Sequence, residues 1–266
     1  MDRDFPLVSI VLASYNSQRT IIKTLNSIAN QSYKNVELIF VNDGSTDDSL
    51  RLVTEFMAKV NIYMQIISRN NKGFVYSLVE GITESKGDFI ARIDSDDIWT
   101  NDHVELIMKE FKKNESLVLV GSNSKFINEN DEVVGNSNLP LTDRNIRKHM
   151  LKDNPFIHSS VIFKKKHYEM SPGYLNKYEE YITDYNLWFE LSKHGQCLNI
   201  KEYTVLYRIS SVSMSRAIRK CENYRSRLSI MSKTHLFYKK YNYYYYFQYL
   251  KIRLKILYHC YIRENI

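Results

Sequence analysis

Three carboxylates crowd the end of one short run. DFIARIDSDDIW (88–99) is apolar at Phe89, Ile90 and Ile93 and then meets Asp94, Asp96 and Asp97. With little charge until its end, the run predicts a buried strand. In an extended chain residues two apart point the same way, so Asp94 and Asp96 are expected to project together. Carboxylates held that close repel, and each needs a cation or a donor. A hard divalent ion, Mg²⁺ or Mn²⁺, bound through oxygens and carrying a phosphate, is the matching resident. Taken alone, the same residues also fit an acidic turn with an Asp N-cap before a helix starting near Asn101.

The elements that must position this turn follow one grammar. LVSIVLASYN (7–16), VELIFVNDGSTDDS (36–49) and VNIYMQIIS (60–68) are apolar runs that stop at polar turns. Helical spacing follows each: Ile21, Ile22, Leu25 and Ile28; Leu50, Leu52, Val53, Phe56 and Met57; then Phe74, Val75, Leu78, Val79 and Ile82, closed at Ser85-Lys86-Gly87. Alternating strands and helices of this length predict right-handed βαβ units and a mostly parallel α/β sheet. In such sheets ligands sit outside the carboxyl ends of the strands. Tyr15, Asp43, Gly73 and Asp94–Asp97 all fall at such ends, so they are expected in one crevice.

SIVLASYN (9–16), VNDGSTDDS (41–49), NKG (71–73) and DSDD (94–97), in this order and spacing, resemble family 2 glycosyltransferases of the GT-A fold. The resemblance covers about residues 6–215. It implies that the first two motifs hold the uridine of a UDP-sugar. Tyr15 would stack near the uracil, the backbone of Ala13 would lie against the nucleoside, and Asp43 would accept from the uracil ring nitrogen. Gly73 of NKG would also line the donor site. The D-x-D element falls on Asp94, Ser95 and Asp96, with ribose contact at its start and metal contact at Asp94 and Asp96. The chemistry suits these types, since a metal bridging two phosphates stabilises the charge of the departing diphosphate. No P-loop pattern occurs and no G-x-G-x-x-G follows the first strand, so ATP and NAD chemistry lose support.

A second half begins near residue 115. LVLVGSNSKFI (117–127) and EVVG (132–135) predict a hairpin around Asn128–Asp131, Asp143 starts a short helix, and FIHSSVIFKKK (156–166) predicts another strand. The resemblance implies that His158 and Trp188 line the acceptor pocket. It also puts the general base at Asp184 in YITDYNLWFEL (181–191), where Thr183 and Asn186 replace two acids usual in the family; a helix-capping role is the plainer alternative. Asp184 would take the acceptor hydroxyl proton while oxygen attacks the anomeric carbon opposite the diphosphate, inverting it. In TVLYRISSVSMSR (204–216), Arg208 is a candidate for neutralising phosphate. Ser210 stands where many members have a metal-binding histidine. Leu78-Val79 replace a common Arg-Asn pair.

Charge is uneven. The chain is +7, yet residues 216–266 hold twelve Lys and Arg against Glu222 and Glu264, or +10, leaving −3 for residues 1–215. That tail also carries ten of the 21 tyrosines, with hydrophobics alternating with Lys251, Arg253 and Lys255. The sequence therefore predicts a GT-A domain over 1–215, divided into a nucleotide-sugar half (1–114) and an acceptor half (115–215), and a basic Tyr-rich helical tail over 216–266. There is no apolar stretch of about 18 residues, so no segment is expected to span a bilayer. Basic helices edged with Tyr and Phe suit an anionic membrane surface; packing of the Tyr face on the body is the alternative. Nucleic acid is not an expected partner, since the body is slightly acidic. The N-terminus lacks an apolar signal region, and Cys197, Cys221 and Cys260 have no metal spacing, so a cytoplasmic enzyme at the inner face of the plasma membrane is expected.

The leading expectation is an inverting, Mn²⁺- or Mg²⁺-dependent transfer from a UDP-sugar to a hydroxyl of a surface glycan, free or polyprenyl-diphosphate-linked. Bacterial members of the family commonly build capsule, lipopolysaccharide or similar polymers. A transferase acting on polyprenyl phosphate would often carry spanning segments and would need no Asp184. A non-catalytic nucleotide-sugar or glycan-binding module would be expected to have lost Asp94, Asp96 and Asp184.

Overall fold

The computed structural model describes residues 6–174, 183–209, 220–238 and 242–256. The apolar runs of the first half become β1 (Val8–Ser14), β2 (Val36–Asn42), β3 (Tyr63–Ser68) and β4 (Phe89–Arg92), parallel and ordered β3-β2-β1-β4. Every residue of β1 and β2 is buried, as in a strand covered on both faces. The intervening helices are α1 (Ile21–Ala29), α2 (Ser49–Met57) and α3 (Phe74–Glu84). Ile21, Leu25 and Ile28 recur at helical spacing, and α1 buries that face on the sheet. The helix α3 lies so close that a Cβ on Gly81 would stand 2.7 Å from Val11 Cγ1.

Register decides where the chemistry emerges. Ser14 pairs with Asn42, Asn42 with Ser68, and Val11 with Arg92. Parallel strands aligned this way end at one edge, so Tyr15, Asp43, Arg69 and Ile93 leave the sheet together.

The second half comprises β5 (Ile98–Trp99), α4 (His103–Lys113), β6 (Leu117–Ile127), β7 (Val133–Asn136), α5 (Asp143–His149), β8 (Ile162–Lys164), α6 (Lys165–Glu169), α7 (Thr183–Ser192) and β9 (Gln196–Arg208). The sheet continues β4-β8-β6-β9-β5, with β7 paired to β6 as the hairpin pattern predicts. Parallel pairing dominates only up to β4. Beyond it the β4–β8, β8–β6, β6–β7 and β9–β5 pairs are antiparallel and β6–β9 is parallel.

Two strands are shorter than their patterns suggest. β4 stops at Arg92, and Asp94–Asp97 form a turn closed by the Asp97 amide donating to the Asp94 carbonyl (3.3 Å). Asp94 and Asp96 therefore approach through a turn and not through the pleat of a strand. Within 156–166 only Ile162–Lys164 is strand, preceded by a single 3₁₀ turn at His158–Ser160. Ser160 Oγ bonds the Ile157 carbonyl (2.8 Å) and Ser159 Oγ turns toward Asp94, giving the backbone partners other than a ladder.

The acidic turn also curls the sheet. In a flat sheet β5 would lie about 19 Å from β4, at four strand spacings. Only a fully extended link from Arg92 to Ile98 would reach that far, at about 3.4 Å per residue. The link is a turn, so the sheet bends until both ends meet, and the Trp99 Nε1–H donates to the Ser159 carbonyl (2.7 Å).

Beyond β9, α8 (Lys220–Tyr238) and α9 (Asn242–Ile256) dock on the body. Ile230 joins the core around α7, while Leu151, Met231, Tyr245, Ile252 and Ile256 form a small core of their own. Arg147 donates to the Ser192 and Gly195 carbonyls (2.9 and 2.7 Å) and to the Tyr238 hydroxyl. Among the described residues no helix is long and apolar enough to cross a membrane.

Candidate active site

At the nucleotide end, the loops after β1 and β2 are laced together. The Asn16 amide donates to Ser45 Oγ (3.0 Å), the Thr46 amide to Asn16 Oδ1 (2.8 Å), the Ser17 amide to Ser49 Oγ (2.8 Å) and the Gln18 amide to Asp47 Oδ2 (3.1 Å). The S-T-D-D-S stretch thus fixes where Tyr15 stands, and Tyr15 is 53% exposed at the rim, open to a planar partner. Ala13, in β1, is buried. Asp43 is buried and accepts from the amides of Lys72 (Oδ1, 2.8 Å) and Gly73 (Oδ2, 3.1 Å) and from the Arg69 guanidinium. Its Oδ2 takes one donor here and retains a lone pair. Gly73 adopts φ +93°, a conformation that L side chains resist, although a Cβ there would meet nothing within 4 Å. Gly44 (φ +76°) has neither freedom nor room, since a Cβ there would meet the Asn71 nitrogen at 2.6 Å.

Sequence reasoning passes over Arg69. It reaches Glu80 (2.8 Å), Ser77 Oγ (2.9 Å) and Asp43 at once, tying the end of β3 and helix α3 to the end of β2. Asp43 and Arg69 are 26 residues apart, and nothing local in the sequence announces the pair.

The acidic turn is built around a second cation that the motif does not reveal. Arg92, 2% exposed, pairs with Asp94, donates to Ser159 Oγ (3.2 Å) and lies 5.0 Å from the Phe74 ring centre. Ser159 also accepts from the Asp94 amide (3.0 Å) and donates to its Oδ2 (3.2 Å). Asp94 is therefore partnered at both oxygens. Asp97 is buried and accepts from the Arg208 amide (2.7 Å); burial and its acidic neighbours hold its pKa well above the usual carboxylate range. Among the described residues no ion pair reaches Asp96, and burial together with Asp94 raises its pKa to about 6. Ser95 contributes its carbonyl to Thr20 Oγ1 (2.9 Å), anchoring the turn to the start of α1.

This donor set fits a hard divalent cation. Asp96 is an acid enclosed with acids, the charges of Arg92 and Arg208 offset this only in part, and a cation would relieve it. Among the described residues no three acid, histidine or cysteine side chains close a cage, so the remaining positions would go to diphosphate and water oxygens. Ser210 lies outside the described residues.

Arg208 is not an open phosphate ligand in this arrangement. Its guanidinium donates to the carbonyls of Asp96 (3.0 Å) and Asn128 (2.7 Å) and to Asp131, which also pairs with Lys23. It braces the acidic turn against the β6–β7 hairpin.

On the acceptor side Asp184 lies in the first turn of α7. The Asn154 Nδ2 donates to its Oδ2 (2.7 Å), and Asn154 Oδ1 accepts from the Phe156 amide (3.1 Å), which fixes the orientation of the Asn154 amide. Burial pushes the Asp184 pKa up, while Asn154 and Arg92 act against that rise. His158 Nε2 shares a hydrogen bond with the Tyr174 hydroxyl (2.7 Å) and packs edge-on to Trp188; burial holds its pKa well below the usual imidazole value. Trp188 itself is wholly buried against Phe156 and Phe163. It packs on His158 within the core, so it does not line an open pocket as the resemblance implies. Glu179 and Glu180 lie outside the described residues.

Arg92 pairs with Asp94 and bonds Ser159, whose neighbour His158 packs on Trp188, so the acidic turn and helix α7 are joined through the 3₁₀ turn. A parallel first half, an acidic turn at its strand ends and a mixed second half define the GT-A fold class. Residues 9–171 match the family described as Glycosyl transferase family 2. Curated relatives include an uncharacterized glycosyltransferase of Haemophilus influenzae, 34% identical over 213 residues that make up 77% of this chain and 66% of that protein. Chondroitin synthase of Escherichia coli is 30% identical over 198 residues, 74% of this chain and 28% of the synthase. Similar solved structures include S. aureus TarS 1-349 in complex with UDP-GlcNAc (TM-score 0.68, 18% identity, 86% of this chain and 66% of that one). The mannosyltransferase PcManGT from Pyrobaculum calidifontis, in complex with GDP-Man and Mn²⁺, has a TM-score of 0.66 at 14% identity over 86% of this chain and 64% of that one. The chain belongs to glycosyl transferase family 2.

Proposed function

We propose that the chain catalyses inverting transfer of a sugar from a UDP-sugar to a hydroxyl of a growing surface polysaccharide, with Asp184 as base and a divalent metal at Asp96. The observation that carries this reading is geometric: Ser159 bonds Asp94 of the acidic turn at its amide and Oδ2, and the adjoining His158 packs on Trp188 of α7, the helix that carries Asp184. The polymer class is supported by the chondroitin and hyaluronan synthases among the relatives, and the metal by Mn²⁺ in PcManGT. UDP rather than GDP is supported by the Tyr15–Asp43 arrangement and by UDP-GlcNAc in TarS.

In this mechanism Tyr15 and Asp43 hold the base, and the Asp94–Asp97 turn meets ribose and diphosphate. Asp184 accepts the proton of the acceptor hydroxyl as its oxygen forms a bond to the anomeric carbon. The bond from that carbon to the diphosphate oxygen breaks on the opposite face, its electron pair leaves with UDP, and configuration inverts. A metal held by Asp96 would supply Lewis-acid stabilisation of the leaving diphosphate, and Asp94 could join it only by releasing Arg92 or Ser159. Arg208 could turn to phosphate only by releasing Asp131. We further assign the enzyme to the cytoplasmic side, on lipid-linked acceptors, with residues 1–215 as the catalytic unit.

Replacing Asp184 by Asn keeps the shape and the Asn154 contact but cannot accept a proton. The expected result is UDP affinity near wild type with transfer reduced about 10²–10⁴-fold. Unchanged transfer would move the base elsewhere, with Glu179 and Glu180 the next to test. A catalytically silent binding module would leave UDP-sugars unhydrolysed in the wild type as well.

A further inference from the structure

The helix α9 is apolar on two opposite faces, and among the described residues only one of them has a partner. Successive residues of a helix turn by about 100°. Tyr245, Tyr249, Ile252 and Ile256 share the face that packs on Leu151 and Met231. On the opposite side Tyr243, Phe247, Leu250 and Leu254 fall within about 60° of one another. They face away from the body, with Tyr243 at 89%, Leu250 at 59% and Leu254 at 57% exposure. Four large apolar side chains in one outward row are more than scattered surface hydrophobics.

The charges around that row say what it meets. Lys251 and Lys255 flank it on one side and Arg253 on the other, all exposed, and α9 contains no Asp or Glu. Lys251 Nζ lies 4.3 Å from the Phe247 ring centre, and exposed Lys148 of the body lies 5.0 Å from the Tyr244 ring centre, beside Lys251 on the wheel. An apolar ridge bordered by long cationic side chains lets the ridge enter the acyl boundary while the cations stay among anionic headgroups. A protein partner matching a bare row of Tyr, Phe and Leu would gain little from a rim of four cations; a bilayer with acidic lipids uses both.

We propose that the outward face of α9 is a membrane-docking ridge for an anionic bilayer, inserted in the plane of the headgroups and not spanning them. α8 packs on α7, which carries Asp184, and α9 packs on α8. The ridge thus stands two helices from the candidate base, on the acceptor half. A lipid-linked acceptor would be met on that half, so the inference deepens the proposed function but its test does not use transfer.

Tryptophan reports it directly, because the two native tryptophans, Trp99 and Trp188, are 2% and 0% exposed. Full-length Leu254→Trp should show a blue-shifted emission on adding phosphatidylcholine vesicles containing phosphatidylglycerol, and quenching when the acyl chains are brominated. Tyr63→Trp, on exposed strand β3, should show neither. Replacing Lys251, Arg253 and Lys255 by Gln should weaken vesicle binding about 100-fold, at about fivefold per charge. Replacing Phe247, Leu250 and Leu254 by Gln should abolish the part of binding that survives high salt. Both triple variants change exposed side chains and should melt as wild type does. The proposal is overturned if Leu254→Trp is not quenched by brominated lipid, if both triple variants still bind as wild type, or if the ridge proves to hold two copies together and its substitution splits a dimer without loss of vesicle binding. Failure of this test with UDP-sugar turnover intact would remove the membrane role and leave the transferase reading standing.

Discussion

A carboxylate serves as a base only while ionised, and Asp184 is held where ionisation is disfavoured. Burial raises its pKa, and the Asn154 amide and the Arg92 charge oppose the rise. Transfer should therefore fall as pH is lowered through a midpoint above the ordinary Asp value of about 4, and be fully present above it. Arg92→Gln removes the charge that favours ionised Asp184, so the acid limb of the pH–rate profile should move up. Arg92→Lys keeps a cation and should leave the limb near its wild-type position while losing the Ser159 contact. A limb that stays put in both variants would reduce Arg92 to a structural support for Asp94.

The loops at the strand ends divide labour between chain conformation and chemistry. Gly44 and Gly73 both adopt positive φ, but only Gly44 also lacks space. Gly73→Ala should lower stability by about 1–3 kcal/mol in urea denaturation, the cost of holding Ala at φ +93°, ψ 157°, a region glycine alone adopts freely. Gly44→Ala should cost more and also weaken UDP binding, because the Asn71 nitrogen must move and the Lys72 and Gly73 amides that hold Asp43 follow it. Equal effects of the two changes would contradict the close approach. Strands β1 and β2 and helices α1–α3 are legible in the sequence because their apolar spacing is long and regular. Tyr15, Asp43, Gly73 and the acidic residues are legible as types at strand ends. Arg69 and Asn154 are not, since each acts on a carboxylate that only the fold brings near, and Arg92, two residues before Asp94, reads as an interior strand position until its burial is seen. The acidic turn reads as a strand end because Ile93 continues the apolar run, and contacts from Ser159 and Arg208 bend it. In α9 two apolar faces blur the periodicity, and only packing tells the buried face from the exposed one.

At the scale of the whole molecule, the curled sheet holds the two halves together and the last two helices pack on the second of them. By charge alone the tail is separable, at +10 against −3 for the rest. Its packing joins it to the body: Met231 is wholly buried in the core it shares with Leu151, and Arg147 of α5 ties to Tyr238. Met231→Ala should cost about 2–5 kcal/mol, and thermal unfolding should remain one transition with a lower Tm. Two transitions, with only the first lowered, would make the tail an independent unit. Metal-assisted departure of UDP is the step on which the proposed chemistry depends. The most direct measurement is UDP release from a panel of UDP-sugars, with a lipid extract as acceptor source and Mn²⁺ present, repeated with excess EDTA and with Asp96→Ala. One UDP-sugar should be consumed by the wild type, and consumption should vanish both with EDTA and in the variant. Turnover that persists in excess EDTA, or release of UDP from none of the sugars, would contradict it.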